Sequence, residues 1–136
     1  LGKLLNTKGS NMAKILVVDD SKMIRNMVVY TLNEGGYNDI DEAEDGLIGV
    51  SKTSQTKYDA IITDINMPNM NGFEFTITTR NEGLSRQTPI LILTTESSQE
   101  MKEKGRLSGA TGWIIKPFIP EELLEAVSII LSKTDR

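Results

Sequence analysis

Five side chains suited to metal and phosphate chemistry stand at the ends of apolar runs: Asp19 and Asp20 after KILVV, Asp64 after AIIT, Thr94 after PILIL, and Lys116, followed by Pro117, after GWII. If those runs are parallel strands, all five side chains fall at strand C-termini, where open α/β sheets build their sites. Three carboxylates, a hydroxyl and an ammonium would then meet in one crevice. Carboxylates gathered within several Å repel one another and raise at least one pKa unless a cation neutralises them. Oxygen ligands without His or Cys favour a hard ion, and an open site that keeps several waters favours Mg²⁺ over Ca²⁺. A Mg²⁺ held by carboxylates also takes phosphate oxygens, which Lys116 can meet with a point charge and Thr94 with a hydrogen bond. Phosphoryl transfer depends mainly on positioning and charge stabilisation, so these parts suffice if one carboxylate is the nucleophile. Asp64 fits that role best. It stands alone, it follows the expected central strand, and the Met67-Pro68 turn beyond it leaves its side chain open to a donor.

The elements that must position these residues are readable from hydrophobic spacing. Residues 14–18 form a continuous apolar run, as expected of a strand buried on both faces. Ser21 can cap the helix that follows, where Ile24, Met27, Val28, Thr31 and Leu32 recur at helical spacing until Gly35-Gly36. A short, poor strand at 39–43 and a short helix at 46–54 come next, with Gly49 as a weak point. The run at 58–63 ends at Asp64. Turn chemistry from Met67 to Gly72 leads to a helix that Asn71 can cap and that runs to about residue 82. Pro89 opens a strand to Leu93, followed by a polar helix at 98–108, a short strand at 112–115, and a last helix with Pro120 in its first turn and Leu123, Val127, Ile130 and Leu131 facing inward. Five strands alternating with five helices imply parallel crossovers and a doubly wound sheet.

A chain of 136 residues and 15.1 kDa makes one domain. Its 38% apolar and 25% charged residues are those of a globular protein, and its apolar runs are too short to span a bilayer. The first eleven residues, LGKLLNTKGSN, read as a vector-derived leader, leaving residues 12–136 as the folded unit. Lys3 and Lys8 lie in that leader, so the remainder carries 13 basic against 19 acidic residues, a net charge of −6. That balance argues against nucleic acid as a partner. Cysteine is absent, which fits a reducing cytoplasm, and histidine is absent too. Ser-His and Cys-His catalysis are excluded, as is a phosphohistidine carried on this chain.

In order and spacing, ILVVDDS, EAEDG, DAIITDINMPNMNG, PILILTT and GATGWIIKPF with the final helix resemble the receiver domains of two-component response regulators, over residues 13–133. The similarity is greatest to the single-domain, CheY-like chemotaxis regulators. The resemblance implies a (βα)5 flavodoxin-like sheet of strand order 2-1-3-4-5. It implies that Asp64 accepts a phosphoryl group from a sensor kinase histidine, with Mg²⁺ bound by Asp20, Asp64 and the Asn66 backbone carbonyl, and by Asp19 through a water. Thr94 and Lys116 would contact the phosphoryl group, and the Lys116-Pro117 bond would be cis. Trp113 takes the place of the aromatic switch residue, usually Tyr or Phe, and its size puts the usual inward rotamer on activation in question. Asn66 and Glu96 match positions that tune phosphoryl lifetime. Asn71 replaces the Asp common before the turn glycine, and either residue can cap. The implied partners are a sensor histidine kinase, a phosphatase, and a downstream target bound on the face made by the fourth helix, fifth strand and fifth helix, within residues 95–133.

Taken singly, each site residue has an ordinary reading: Asp64 as a helix cap, Thr94 as a turn residue, Lys116 as a surface lysine, Trp113 as a core aromatic, Asn66 and Glu96 as solvated loop residues. Their joint register favours function. A phosphorelay intermediate is the nearest alternative. A haloacid-dehalogenase-like phosphohydrolase would also use Mg²⁺ and a strand-end Asp, but it needs a second Asp where Asn66 stands. A flavin carrier would need a Ser/Thr/Gly-rich phosphate loop in place of Asp19-Asp20. Within the helix at 98–108, Met101 and Leu107 are the main apolar residues, and Gly105 reads as a weak point costing about 1 kcal/mol relative to Ala. Such a helix suits a switch element.

Overall fold

Alternating strands and helices in the chain become a single parallel sheet covered on both faces. The computed structural model describes residues 12–134; the expected leader, residues 1–11, lies outside the described residues. Strands β1 (Lys14–Val18), β2 (Asp39–Ala43), β3 (Ala60–Thr63), β4 (Ile90–Thr94) and β5 (Gly112–Ile115) pair in the order β2-β1-β3-β4-β5, all parallel. They alternate with α1 (Lys22–Glu34), α2 (Gly46–Gln55), α3 (Gly72–Asn81), α4 (Gln99–Ser108) and α5 (Pro120–Thr134).

The side-chain period of two sorts each buried strand between the faces. Ile15 and Val17 of β1, Ile62 of β3, Leu91 and Leu93 of β4 and Ile114 of β5 pack with α1 and α5, against Val28, Leu32, Leu123 and Val127. Leu16, Val18, Ile61 and Ile90 point the other way, toward Ile48, Phe75 and Tyr58, and Ile92 joins Phe73, Met101 and Trp113 on that same side. Each fully buried aliphatic side chain contributes about 1.5–3 kcal/mol relative to exposure, so the three central strands carry much of the fold's stability.

Helix starts follow the two expected caps, at Ser21 and Asn71, and a third forms at Ser98. The Ser21 hydroxyl accepts the Ile24 N–H, Asn71 and Glu74 form a reciprocal capping box on α3, and the Ser98 hydroxyl accepts the Met101 N–H. Four expectations shift. The run at 58–63 is strand only from Ala60, because Tyr58 turns into the core and its N–H donates to Ser85 Oγ. β4 extends to include Thr94. Met27 is half exposed rather than facing inward, and with Met23 and Tyr30 it lies on the outer side of α1. Gly105, read as a weak point, is the one buried residue of α4, whereas Leu107 is exposed.

Candidate functional site

Register alone brings the key carboxylates together. Val18 of β1 pairs with Thr63 of β3, and the next residues, Asp19 and Asp64, continue the ladder: the Asp64 N–H donates to the Val18 carbonyl and the Asp19 N–H to the Ala43 carbonyl. Asp19 follows the Ile15-Val17 set and Asp64 follows Ile62, so both project on the α1–α5 side. Lys116 does the same one residue past β5, two residues after Ile114, with its N–H bonded to the Thr94 carbonyl. Its ammonium donates to Asp19 Oδ2 at 2.8 Å and to Asp64 Oδ2 at 2.9 Å.

The remaining carboxylate oxygens are also held. Asp64 Oδ1 accepts the Ile65 N–H at 2.6 Å, and Asp19 Oδ1 accepts the Ser21 N–H at 2.9 Å. Asp19 and Asp64 are buried, at 3% and 8% exposure, while Asp20 is exposed at the rim. Each of the three offers an oxygen, and these oxygens lie within 4.8 Å of one another. Burial pushes the Asp19 carboxyl above its ordinary pKa despite its bonds to Lys116 and Ser21. Burial acts to lower the Lys116 ammonium, but its bonds to Asp19 and Asp64 prevail and raise it. Three carboxylates against one ammonium leave two negative charges in a partly buried pocket. A divalent cation would balance that excess, and an all-oxygen donor set suits a hard one.

Thr94 and Trp113 belong to the opposite parity. They continue the sets of Ile90-Ile92 and of Trp113's own partner Ile92, facing α3 and α4. Thr94 is fully buried and its hydroxyl accepts the Glu96 N–H at 3.4 Å, rather than meeting the carboxylates directly. The Asn66 side-chain amide donates to the Glu96 carboxylate at 3.1 Å, and the Trp113 indole N–H donates to the Glu96 carbonyl at 3.0 Å. The structure therefore gathers the expected residues into two linked groups: Asp19, Asp20, Asp64 and Lys116, and beside them Thr94, Glu96, Asn66 and Trp113. The Lys116-Pro117 peptide is cis, as expected.

Three supports of the site escape a reading of strand ends. Arg25, one turn into α1, donates through Nη1 to the Asp19 carbonyl and through Nε to Glu42, fixing the acidic loop. Asp45 caps α2 by accepting the Ile48 N–H, and its second oxygen accepts the Asn69 amide, which ties down the loop beyond Asp64. Gly72 begins α3 so close to Asp64 that a Cβ there would lie 2.1 Å from the Asp64 carbonyl oxygen. EAEDG and the turn glycine were the available signals for Asp45 and Gly72; Arg25 had none. A separate groove of about 780 Å³ between α1 and α5, lined by Met23, Met27, Tyr30, Phe118 and Leu124 among others, contains none of these carboxylates. Among the described residues no helix is long and apolar enough to cross a membrane.

Comparison with known proteins agrees with the geometry. The family model for the response regulator receiver domain matches residues 15–128. The chain is 36% identical over 125 residues to chemotaxis protein CheY1 of Helicobacter pylori, covering 90% of this chain and 99% of that one. The solved structure of the chemotaxis response regulator CheY4 of Vibrio cholerae is 48% identical, with a TM-score of 0.82 over 88% of this chain and 99% of that one. The receiver domain of a sensor histidine kinase from Pseudomonas aeruginosa PAO1, solved with a magnesium ion coordinated in its active-site cleft, is 27% identical, with a TM-score of 0.81 over 88% and 98% of the two chains. From register, charge and these likenesses together, this chain belongs to the response regulator receiver domain family.

Proposed function

We propose that this chain accepts a phosphoryl group on Asp64 from the phosphohistidine of a sensor kinase and signals through phosphorylation-dependent protein binding in chemotaxis. The observation that carries the reading is Asp64 itself: a buried strand-end carboxylate, oriented by the Ile65 N–H and bonded to Lys116 within a cluster two charges short of balance. An Asp64 oxygen attacks phosphorus as the P–N bond to the donor imidazole breaks, and the electron pair leaves with the imidazole. Lys116 meets the incoming phosphoryl oxygens as a fixed charge, and Thr94 supplies a hydroxyl to another. Asp19, Asp20, Asp64 and the Asn66 carbonyl would hold Mg²⁺, which supplies charge neutralisation for the phosphoryl oxygens when bound. The same groups let the chain assist its own phosphorylation and, later, its hydrolysis, with Asn66 and Glu96 tuning the lifetime.

Both named chemotaxis relatives are spanned almost end to end, which supports the pathway assignment, and the lack of cysteine in the sequence suits a cytoplasmic location. The face of α4, β5 and α5 is the proposed contact for the downstream target, because Trp113 of β5 packs against Gly105 of α4 there and is bonded to the Glu96 carbonyl.

Mg²⁺-dependent labelling by a small phosphodonor, comparing wild type with Asp64→Ala, tests the site. Stoichiometric, acid-stable, base-labile phosphate is expected on the wild type alone. Equal labelling of both proteins would overturn the assignment. Transfer of the group onward to a second histidine-bearing protein, faster than its hydrolysis, would replace chemotaxis by a phosphorelay.

A further inference from the structure

Gly105 occupies the middle of α4, where glycine disfavours helix, and yet it is the buried residue of that helix. Its packing explains why. A Cβ at this position would lie 2.7 Å from Trp113 Cζ3, 3.0 Å from Trp113 Cε3 and 3.2 Å from Ile92 Cδ1. Both Trp113 atoms belong to the outer ring of a rigid indole, and Ile92 is fully buried behind it, so neither neighbour can give way cheaply. The ring is fixed at its other edge as well, by the indole N–H donated to the Glu96 carbonyl.

Glu96 is a junction. Its N–H donates to Thr94 Oγ1, its carbonyl accepts from Trp113, and its carboxylate accepts from Asn66, two residues beyond the phosphoacceptor. We propose that Gly105 and Trp113 form a size-matched joint that, through Glu96, couples α4 to the loop beside Asp64, so that Gly105 decides which aromatic side chain can serve at position 113. The inference rests on the receiver reading for its purpose. The coupling itself exists without a phosphoryl group and is measured without one.

A phenyl ring at 113 can pack in this joint but has no N–H to donate, so it leaves the Glu96 carbonyl unheld. An added methyl at 105 displaces the indole and breaks the same bond from the opposite side. Either change should be felt at Asn66, because both act on the one residue whose carboxylate holds its amide. Trp113 is the sole tryptophan, so its indole N–H gives one unambiguous signal.

The test compares wild type, Gly105→Ala, Trp113→Phe and the double variant as full chains. Gly105→Ala should lower the melting temperature and speed exchange of the indole N–H by about tenfold, the loss of one hydrogen bond. In the double variant the smaller ring should accept the methyl, and the melting temperature should rise above that of Gly105→Ala. Trp113→Phe alone should shift the Asn66 side-chain amide resonance. That arm still decides the matter if Gly105→Ala does not fold. A raised melting temperature in Gly105→Ala with unchanged indole exchange, additive effects in the double variant, or an unmoved Asn66 amide would each overturn the joint. Labelling of wild-type Asp64 is followed in parallel; its failure would sink the receiver reading alone.

Discussion

On one side of the rim, Asp19 and Asp64 follow strands whose residues are almost wholly buried, and Lys116, Arg25, Ile65 and Ser21 hold them by direct hydrogen bonds. On the other side, Thr94, Glu96 and Trp113 connect to α4, a helix that buries only Gly105 and is otherwise held by Met101, by Lys104 over the Phe73 ring at 4.8 Å, and by Arg80 bonded to the Gly109 carbonyl at its far end. Both sides stand on the same sheet. The difference lies in how much each would lose by moving: the carboxylate side would expose buried charge, whereas α4 would release a few contacts and no core of its own. Groups that must act on one atom need fixed geometry, and an element that reports a change needs a second position close in energy.

The sharpest way to break this contrast is Gly72→Ala on the rigid side. The new Cβ would meet the Asp64 carbonyl oxygen at 2.1 Å and Ile65 Cα at 2.8 Å, both backbone atoms. We expect a loss of about 3 kcal/mol by chemical denaturation, the upper part of the range for overpacking, with labelling of Asp64 strongly reduced. A stable variant with normal labelling would mean that the carboxylate side is as adaptable as α4. Next in size is Lys116→Ala. Removing the ammonium from between Asp19 and Asp64 takes away the cation that competes for these carboxylates, so Mg²⁺ should bind at least about thirtyfold more tightly, on the order of 2 kcal/mol for a dication and a monocation about 4 Å apart even with water-like screening. The Lys116 pKa is raised, so its stabilising charge is complete below its unfolded value of 10.5 and is lost only as pH rises through the higher folded value. Weaker Mg²⁺ binding in the variant would remove the case for Lys116 as the competing cation.

The alternation of strands and helices and the caps at Ser21 and Asn71 were legible because each depends on local pattern, apolar runs and capping chemistry, whereas the strand order came only with the family resemblance. The division of the site residues into two groups was not legible. It follows from the relative register of β3, β4 and β5, which sets Asp64 and Lys116 on one face and Thr94 and Trp113 on the other, and one chain position says nothing about its neighbour in another strand. Gly105 shows the limit most clearly. Helix propensity reads it as a flaw, and only the indole packed against it shows what the missing side chain makes room for. Arg25 escaped for the same reason, since its partners, the Asp19 carbonyl and the Glu42 carboxylate, belong to other elements and carry no mark in the sequence around Arg25. Met27 fits the helical stripe but falls at its edge, where a shift of one position turns it to solvent.

Two caps of the same chemistry make the finest comparison. Asp45 caps α2 on the rigid side and holds Asn69 in the loop beyond Asp64, whereas Ser98 caps α4 with a single bond to the Met101 N–H. Asp45→Ala should cost about 1–2 kcal/mol of global stability. The Ile48 N–H, and then the Asn69 amide, hold the Asp45 carboxyl below its ordinary 3.8, so its contribution is present above that value and fades as pH falls through the lower folded value. The gap between wild type and Asp45→Ala should accordingly narrow in acid. Ser98→Ala removes a cap of comparable intrinsic worth, about 0.5–1 kcal/mol, but from an exposed site on the loosely held element. If α4 opens independently of the sheet, that loss appears as faster amide exchange in the first turn of α4, with denaturation midpoint and Asp64 labelling unchanged. A fall in the midpoint to match the Asp45 variant would show that α4 is as much a part of the cooperative fold as the carboxylate side. The adjustable half would then have to shrink to the Glu96 loop.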